Sequence, residues 1–259
     1  MTPTLNYVID LARKAGGILR QRFAEPHQIE YKGVIDIVTE ADKESERCLI
    51  GQIQRDFPDH TIVSEESGQV NGSSRHTWYT DPLDGTTNFA HGVPIYSVSI
   101  GYAVDGIMTL GVVYDPMQDE CFSAELGQGA WLNGKRIHVS PETDLNKSLL
   151  VTGFPYDIRT NHHNNLDHYA WFSTHAMAVR RFGSAALDLC YVAAGRLEGY
   201  WELVVQAWDV AAGSLIVREA GGMVTDLDGQ PDFFKPPYRL IAANSDIHRQ
   251  ILAGLHRAE

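Results

Sequence analysis

One change of rhythm divides this chain and constrains its fold more than any other feature. Before Ser140-Pro141 the apolar runs are mostly short, strand-like and separated by turn residues; after it, strand-like and helix-like runs alternate. The first stretch opens on apolar residues at helical spacing, Leu5, Val8, Ile9, Ala12, Ala15, Gly16 and Leu19. A strand from Val34 to Thr39 and a second helix stopped at Pro58 come next. "TIVSEE" and "TWYTD" then read as strands ending in carboxylates. "YSVSIGYAVDGIMTLGVVYDP" reads as a hairpin turning at Asp105-Gly106, and Asn133-Gly134 marks a further hairpin. Two helices followed by mostly antiparallel strands make an α+β arrangement. From Asp144 the order becomes strand "SLLVTG", a helix over 166–175, strand "AVRRF", helix "AALDLCYVAAG", strand "GYWE", helix "DVAAGSLIVREAGG", then strands "GMVTDL" and "RLIAAN". This predicts a second, α/β subdomain, with the chain divided into residues 1–140 and 141–259. "GQPDFFKPPY" reads as a surface loop.

With 259 residues and 44% hydrophobic content the chain has material for a core. Its formal net charge of -12 offers no basic footprint, so the sequence predicts neither a nucleic-acid partner nor an anionic membrane surface. No uncharged apolar run approaches the ~20 residues of a membrane helix. Cys48, Cys121 and Cys190 are scattered and form no CxxC pair, which points to a reducing cytoplasm rather than a disulfide framework or a zinc ribbon.

Carboxylates stand at the ends of predicted elements: Asp36 and Asp42, Glu65 and Glu66, Asp81 and Asp84, and Asp209 after Trp208. Each alone is a common cap or turn residue. In Asp81-Pro82-Leu83-Asp84, Pro82 fixes its own φ and biases Asp81 toward extended geometry, so both carboxylates and the Leu83 carbonyl are able to face one centre on a turn. Oxygen-only ligands select Mg²⁺, Mn²⁺ or Ca²⁺ over zinc. Gly85 lets the backbone approach a phosphate, and Thr86, Thr87 and Asn88 resemble a helix start with free N–H groups. Asp209 reads as the N-cap of its helix, where the helix dipole favours negative charge. "NHHNNLDH", with His162, His163 and His168, reads as a surface loop, because adjacent rings do not readily bind one ion and no partner sits at zinc-site spacing.

"DPLDGTTNF", "VSEES", "WDVAAG" followed by "EAGG", and "DIVTEAD" together resemble the inositol monophosphatase family of metal-dependent sugar-phosphate phosphatases, over nearly the whole chain from Lys32 to about Asn244. The resemblance implies a layered αβαβα sandwich, a homodimer, two or three Mg²⁺ ions with Mn²⁺ as a substitute, and inhibition by lithium. It places a first metal site on Glu65, Asp81 and the Leu83 carbonyl and a second on Asp81, Asp84 and Asp209, with Glu65 also holding a third, hydrated ion. Thr86 and Asp42 match the pair that orients and deprotonates the attacking water, with Asp36 and Glu66 as supporting carboxylates. Gly85 and Thr86 match the amides that hold the phosphate. Glu202 matches a polyol-binding glutamate, Gly183 and Ala185 a loop that touches sugar hydroxyls, and Thr152 to Asp157 a nearby wall.

The implied reaction is hydrolysis of a small polyol phosphate, inositol monophosphate first, by in-line attack of water between two cations. Fructose 1,6-bisphosphate, a nucleotide 3′-phosphate and histidinol phosphate are alternative substrates for the same chemistry. "TTNFAHG" favours the inositol type, since nucleotide-directed relatives usually carry Lys-Gly-Phe there. A regulatory or RNA-associated protein that merely retains the fold is the reading from another class. Three departures from the family pattern stand out: Val204 and Ala207 replace the usual Gly and Pro, and Ser64 replaces a common Gly. Lys32 receives no role.

Overall fold

The computed structural model describes residues 2–25, 29–31, 33, 36–71 and 74–257. Helix α1 (Leu5–Arg22) leads to strands β1 (Ile29–Tyr31) and β2 (Ile37–Thr39), helix α2 (Glu40–Asp56), strands β3 (Thr61–Ser64), β4 (Gly68–Val70) and β5 (His76–Asp84), and the short helix α3 (Thr86–Ala90). Strands β6 (Ser97–Val104), β7 (Ile107–Asp115), β8 (Glu120–Glu125), β9 (Gly129–Leu132) and β10 (Lys135–Ile137) follow. The remainder runs β11 (Leu149–Thr152), α4 (Leu166–His175), β12 (Ala178–Arg180), α5 (Ala185–Ala193), β13 (Gly199–Val205), α6 (Ala207–Glu219), β14 (Met223–Thr225), β15 (Tyr238–Ala243) and α7 (Ser245–Leu255). Of the predicted strand at Val34 to Thr39, Val34 and Ile35 lie outside the described residues, as does Lys32.

Local chemistry explains the element boundaries. The Thr4 hydroxyl accepts from the Tyr7 amide at 3.2 Å and starts α1, whose Val8, Leu11, Ala12, Ala15, Gly16 and Leu19 form one buried face. Asp105 and Gly106 both take positive φ, 52° and 79°, the geometry of a two-residue turn matched to strand twist, and they close the β6–β7 hairpin. Asn133 and Gly134 do the same between β9 and β10 at 48° and 76°.

The strands make an eight-stranded sheet in the order β10-β9-β8-β7-β6-β5-β3-β4, antiparallel except at β3–β5, and a five-stranded mixed sheet in the order β12-β11-β13-β15-β14. Helices α1 and α2 cover one face of the large sheet, α5 and α6 fill the space between the sheets, and α4 and α7 cover the far face of the small one. This is the layered αβαβα sandwich. Its middle layer is thin because Ala211, Ala212 and Gly213 are small: a Cβ on Gly101 would lie 2.7 Å from Ala211 Cβ, and one on Gly111 2.7 Å from the Ala212 carbonyl oxygen. Helix α6 therefore rests almost backbone to backbone on β6 and β7.

Several elements depart from expectation. Asp81-Pro82-Leu83-Asp84 is not a turn but the end of β5, because pairing with β6 resumes after a register shift between Asp81 and Asp84. Helix α6 starts two residues before Asp209, since Gln206 takes the N-cap. Within the expected loop "GQPDFFKPPY", Phe233 is a core residue, 4% exposed beneath the Arg218 guanidinium. Helix α7 carried no helix signal that stood out, although its Asn244 cap and buried Ile247 and Ile251 follow the usual pattern. No helix is long and apolar enough to cross a membrane among the described residues.

Candidate active site

Helix α2 supplies the scaffold. Asp42, Ser45, Glu46, Leu49 and Ile53 recur at helical spacing and are all buried, so three polar side chains sit where a packing face would normally be apolar. Each has a partner. Asp42 Oδ2 accepts from the Thr39 amide at 2.8 Å and the Thr39 hydroxyl at 2.6 Å, closing a capping box, while Asp42 Oδ1 faces the Thr86 hydroxyl at 3.0 Å. Ser45 donates to the Pro82 carbonyl at 2.8 Å. Glu46 accepts from the Ser64 hydroxyl at 2.6 Å and from the Ser67 amide and hydroxyl at 2.9 and 2.7 Å, which fixes the turn bearing Glu65 and Glu66. Ser64, a departure from the family pattern, thus has a defined task.

Strand β5 brings the next group. Side chains three apart on a regular strand face opposite sides, and the register shift between Asp81 and Asp84 breaks that alternation. Asp81 Oδ1 accepts from the Leu83 amide at 2.9 Å. Asp84 Oδ2 accepts from the Ser184 hydroxyl at 2.6 Å and the Ala186 amide at 2.7 Å, so the start of α5 holds a carboxylate of the other sheet. Asp209 stands at the third position of α6, where its Oδ2 accepts from the Gln206 amide at 2.7 Å in a second capping box. Anchoring consumes one oxygen of Asp81 and one of Asp209.

Gly85 follows in a left-handed conformation, φ 97°, and a Cβ there would meet the Ile95 carbonyl at 2.9 Å. Only glycine satisfies both constraints. Thr86 then opens the short helix α3, and its single hydroxyl proton is shared between Asp42 Oδ1 and the Leu83 carbonyl, each 3.0 Å away. Asn88 donates to the Ile95 and Phe182 carbonyls at 2.8 and 2.7 Å, tying α3 to the segment of Gly183, which itself packs on Asn88.

The electrostatics follow from burial of like charges. Loss of water, then Glu65, Asp84 and Asp209, push Asp81 well above the ordinary carboxylate range. Asp209 is raised by loss of water, then by Asp84, against its bond from Gln206, with Glu65 and Glu202 adding to the rise. Burial raises Asp84 to about 6 against the bonds from Ser184 and Ala186. Asp42 is likewise raised by burial to about 6, against bonds from Thr39 and Thr86 and with a small further rise from Glu66. The Tyr156 phenol is raised by loss of water about its hydroxyl, although the residue as a whole is 64% exposed, and then by Glu65, Asp36, Asp209 and Asp84, which puts Asp36 in the same neighbourhood. Carboxylates from the β3–β4 turn, β5 and α6 therefore act on one another. Among the described residues, no three His, Cys, Asp or Glu side chains are already gathered tightly enough to hold an ion. The donor chemistry nevertheless fits hard divalent cations: buried oxygens, repelling one another.

On the far side Glu202, 9% exposed, accepts from the Tyr200 hydroxyl at 2.5 Å, and burial raises it to about 7 against that bond. Ala185 is the first residue of α5. Val204 is exposed, and Ala207 begins α6 and is buried. His162 and His163 are exposed. Sequence reasoning missed Ser45, Glu46, Ser184 and Tyr200, and it saw Asn88 only as part of a helix start rather than as the tie to the Gly183 segment. For Ser45 and Glu46 a signal existed, namely polar residues in register with Leu49 and Ile53.

The inositol monophosphatase family model matches residues 1–259. "Nus factor SuhB" of Pasteurella multocida (strain Pm70) is 45% identical, covering 97% of this chain and 95% of that one. "Inositol-1-monophosphatase" of Mesorhizobium japonicum is 40% identical over 98% of this chain and 96% of its own length. The crystal structure of extragenic suppressor protein suhB from Bartonella henselae superposes with a TM-score of 0.92 at 40% identity, covering 96% of this chain and 97% of that one. The Nus factor name, transcription-associated and carried by several relatives, overturns the expectation that nucleic acid is excluded. Net charge was the wrong criterion, because an acidic protein is able to join a nucleic-acid assembly through protein contacts. By sequence and fold alike, this chain belongs to the inositol monophosphatase family.

Proposed function

We propose that this chain is a Mg²⁺-dependent phosphatase that hydrolyses monoesters of small polyols, inositol monophosphate foremost. The observation that carries the reading is the Thr86 hydroxyl held on Asp42 Oδ1 beside the mutually repelling Asp81, Asp84 and Asp209. In this reading Glu65, Asp81 and the Leu83 carbonyl hold one cation, Asp81, Asp84 and Asp209 a second, and Glu65 a third, hydrated one. Bound divalent cations supply neutralisation of the phosphate dianion and acidification of water.

The chain's own groups do the rest. The Gly85 and Thr86 amides hold the phosphate. The Thr86 hydroxyl receives the proton of the attacking water as its own passes to Asp42, a carboxylate whose raised affinity for protons suits a base. Glu202 accepts hydrogen bonds from hydroxyls of the leaving alcohol, with Gly183 and Ala185 beside it. Asp36 and Glu66 support the charge balance of the site. Three free cysteines suit the reducing cytoplasm.

The relatives named Nus factor SuhB favour a second reading, a transcription-associated role on the same fold. Phosphate release from inositol monophosphate, fructose 1,6-bisphosphate, a nucleotide 3′-phosphate and histidinol phosphate, with Mg²⁺ or with EDTA, tests the first. Metal-dependent turnover with inositol monophosphate the best ester supports it. No release from any ester leaves only the second reading.

A further inference from the structure

Strands β11 and β13 run parallel, with Thr152 opposite Trp201. Beyond that pair the two chains continue as Gly153 and Glu202, and they meet with no room to spare: a Cβ on Gly153 would lie 2.2 Å from Glu202 Oε1 and 2.4 Å from its Cδ. The φ of Gly153 lies outside the left-handed region, so the requirement for glycine here is one of space rather than backbone freedom. On its other oxygen Glu202 accepts the bond from Tyr200, a fully buried residue.

The Gly153 backbone is itself immobilised. Asn165, 2% exposed, donates to the Gly153 carbonyl at 2.7 Å and the Thr152 hydroxyl at 2.8 Å, and accepts from the Trp201 indole at 2.7 Å. The Thr152 hydroxyl in turn donates to the Trp201 carbonyl at 2.6 Å. Both strand ends are thus locked at the point where the glutamate emerges. A carboxylate with one oxygen bonded to a phenol and both oxygens against the Gly153 backbone has lost the freedom of an ordinary surface glutamate.

We propose that Gly153 and Tyr200 are specificity-determining positioning residues, which hold the Glu202 carboxylate in the one orientation that reads neighbouring hydroxyls of a polyol phosphate. This rests on the phosphatase reading above. A preset acceptor matters because a site built to hydrogen-bond substrate hydroxyls discriminates strongly against an ester that lacks them. At Gly153→Ala the group that must give way is the far end of a flexible side chain, so the fold has an inexpensive response and the carboxylate is what moves.

The test compares kcat and KM on inositol monophosphate and on hydroxyl-free p-nitrophenyl phosphate for wild type, Gly153→Ala, Tyr200→Phe and Glu202→Gln, with melting temperatures alongside. The expected result is a fall of about 10- to 100-fold in the ratio of kcat/KM between the two esters in all three variants, the size of one charge-assisted hydrogen bond. The fall should reside in KM for inositol monophosphate, because binding is lost rather than chemistry. Should Gly153→Ala not fold, Tyr200→Phe carries the same comparison. A wild-type ratio in Gly153→Ala and Tyr200→Phe, with a changed ratio in Glu202→Gln, overturns the positioning role and leaves Glu202 as reader. A wild-type ratio in all three overturns the proposal together with the role of Glu202. Wild-type protein that cleaves neither ester overturns it by removing the phosphatase reading itself.

Discussion

The buried acidic cluster makes the metal-free protein sensitive to pH in a direction fixed by the sign of its proton affinities. Asp42 and Asp84 are raised from 3.8 to about 6, and Asp81 and Asp209 are raised as well. The folded state therefore retains protons that the unfolded chain has released, so stability is greatest below about pH 4 as far as these groups are concerned and declines as pH rises through their folded values. For Asp84 alone the loss between 3.8 and about 6 is about 3 kcal/mol. A cation bound only by the folded, ionised cluster reverses this: at 100-fold excess over its dissociation constant it adds about 2.7 kcal/mol. In a chain of this length each kcal/mol moves the melting midpoint by about 2–4 °C, so one ion raises it by about 5–10 °C. Thermal melts by circular dichroism in EDTA and in Mg²⁺, at pH 5 and pH 8, read this directly. The Mg²⁺ response should be large at pH 8 and small at pH 5, and Asp84→Asn should raise the EDTA midpoint at pH 8 while removing most of the response. A midpoint indifferent to Mg²⁺ at pH 8, or an undiminished response in Asp84→Asn, refutes the reasoning.

Other consequences are simpler to measure. Thr86→Val keeps the capping box of Asp42 intact and should reduce kcat by about 10²- to 10⁴-fold with little change in melting temperature, and near-normal turnover would remove Thr86 from the proton path. Gly85→Ala meets both a left-handed φ and the Ile95 carbonyl and should lose about 1–3 kcal/mol in urea unfolding, whereas an unaltered midpoint contradicts that account. Glu46→Gln loosens the turn carrying Glu65 and should weaken the Mg²⁺ dependence of the melting midpoint by about 10- to 100-fold in concentration, which a Mg²⁺ titration decides.

How much of this was legible beforehand depended on whether a feature was local. The Asp105-Gly106 and Asn133-Gly134 turns were readable because the residue types needed for positive φ are few. The α1 stripe was readable from its period, and the mixed layered fold from the change of rhythm and the family resemblance. The end of β5 reads as a turn in the sequence because Pro82 and Gly85 are turn residues in isolation, and only pairing across to β6 keeps Asp84 in the strand. Asp209 reads as a cap in the sequence because helix start signals favour acids, whereas in the fold Gln206 holds that place and Asp209 answers it three residues on. The contacts of Asp84 with Ser184 and Ala186 span about a hundred residues of sequence, and no local pattern encodes them.

Helix α6, which carries Asp209, lies between the two sheets, and Asp84 is gripped by the first turn of α5 in the same middle layer. A chain stalled with only the large sheet formed would have Asp81 and Asp84 in hand but neither Asp209 nor the groups that steady Asp84. Such a species lacks the complete set of buried carboxylates. The full acidic set is thus assembled only in the finished molecule, so any chemistry that depends on it is coupled to closure of the middle layer.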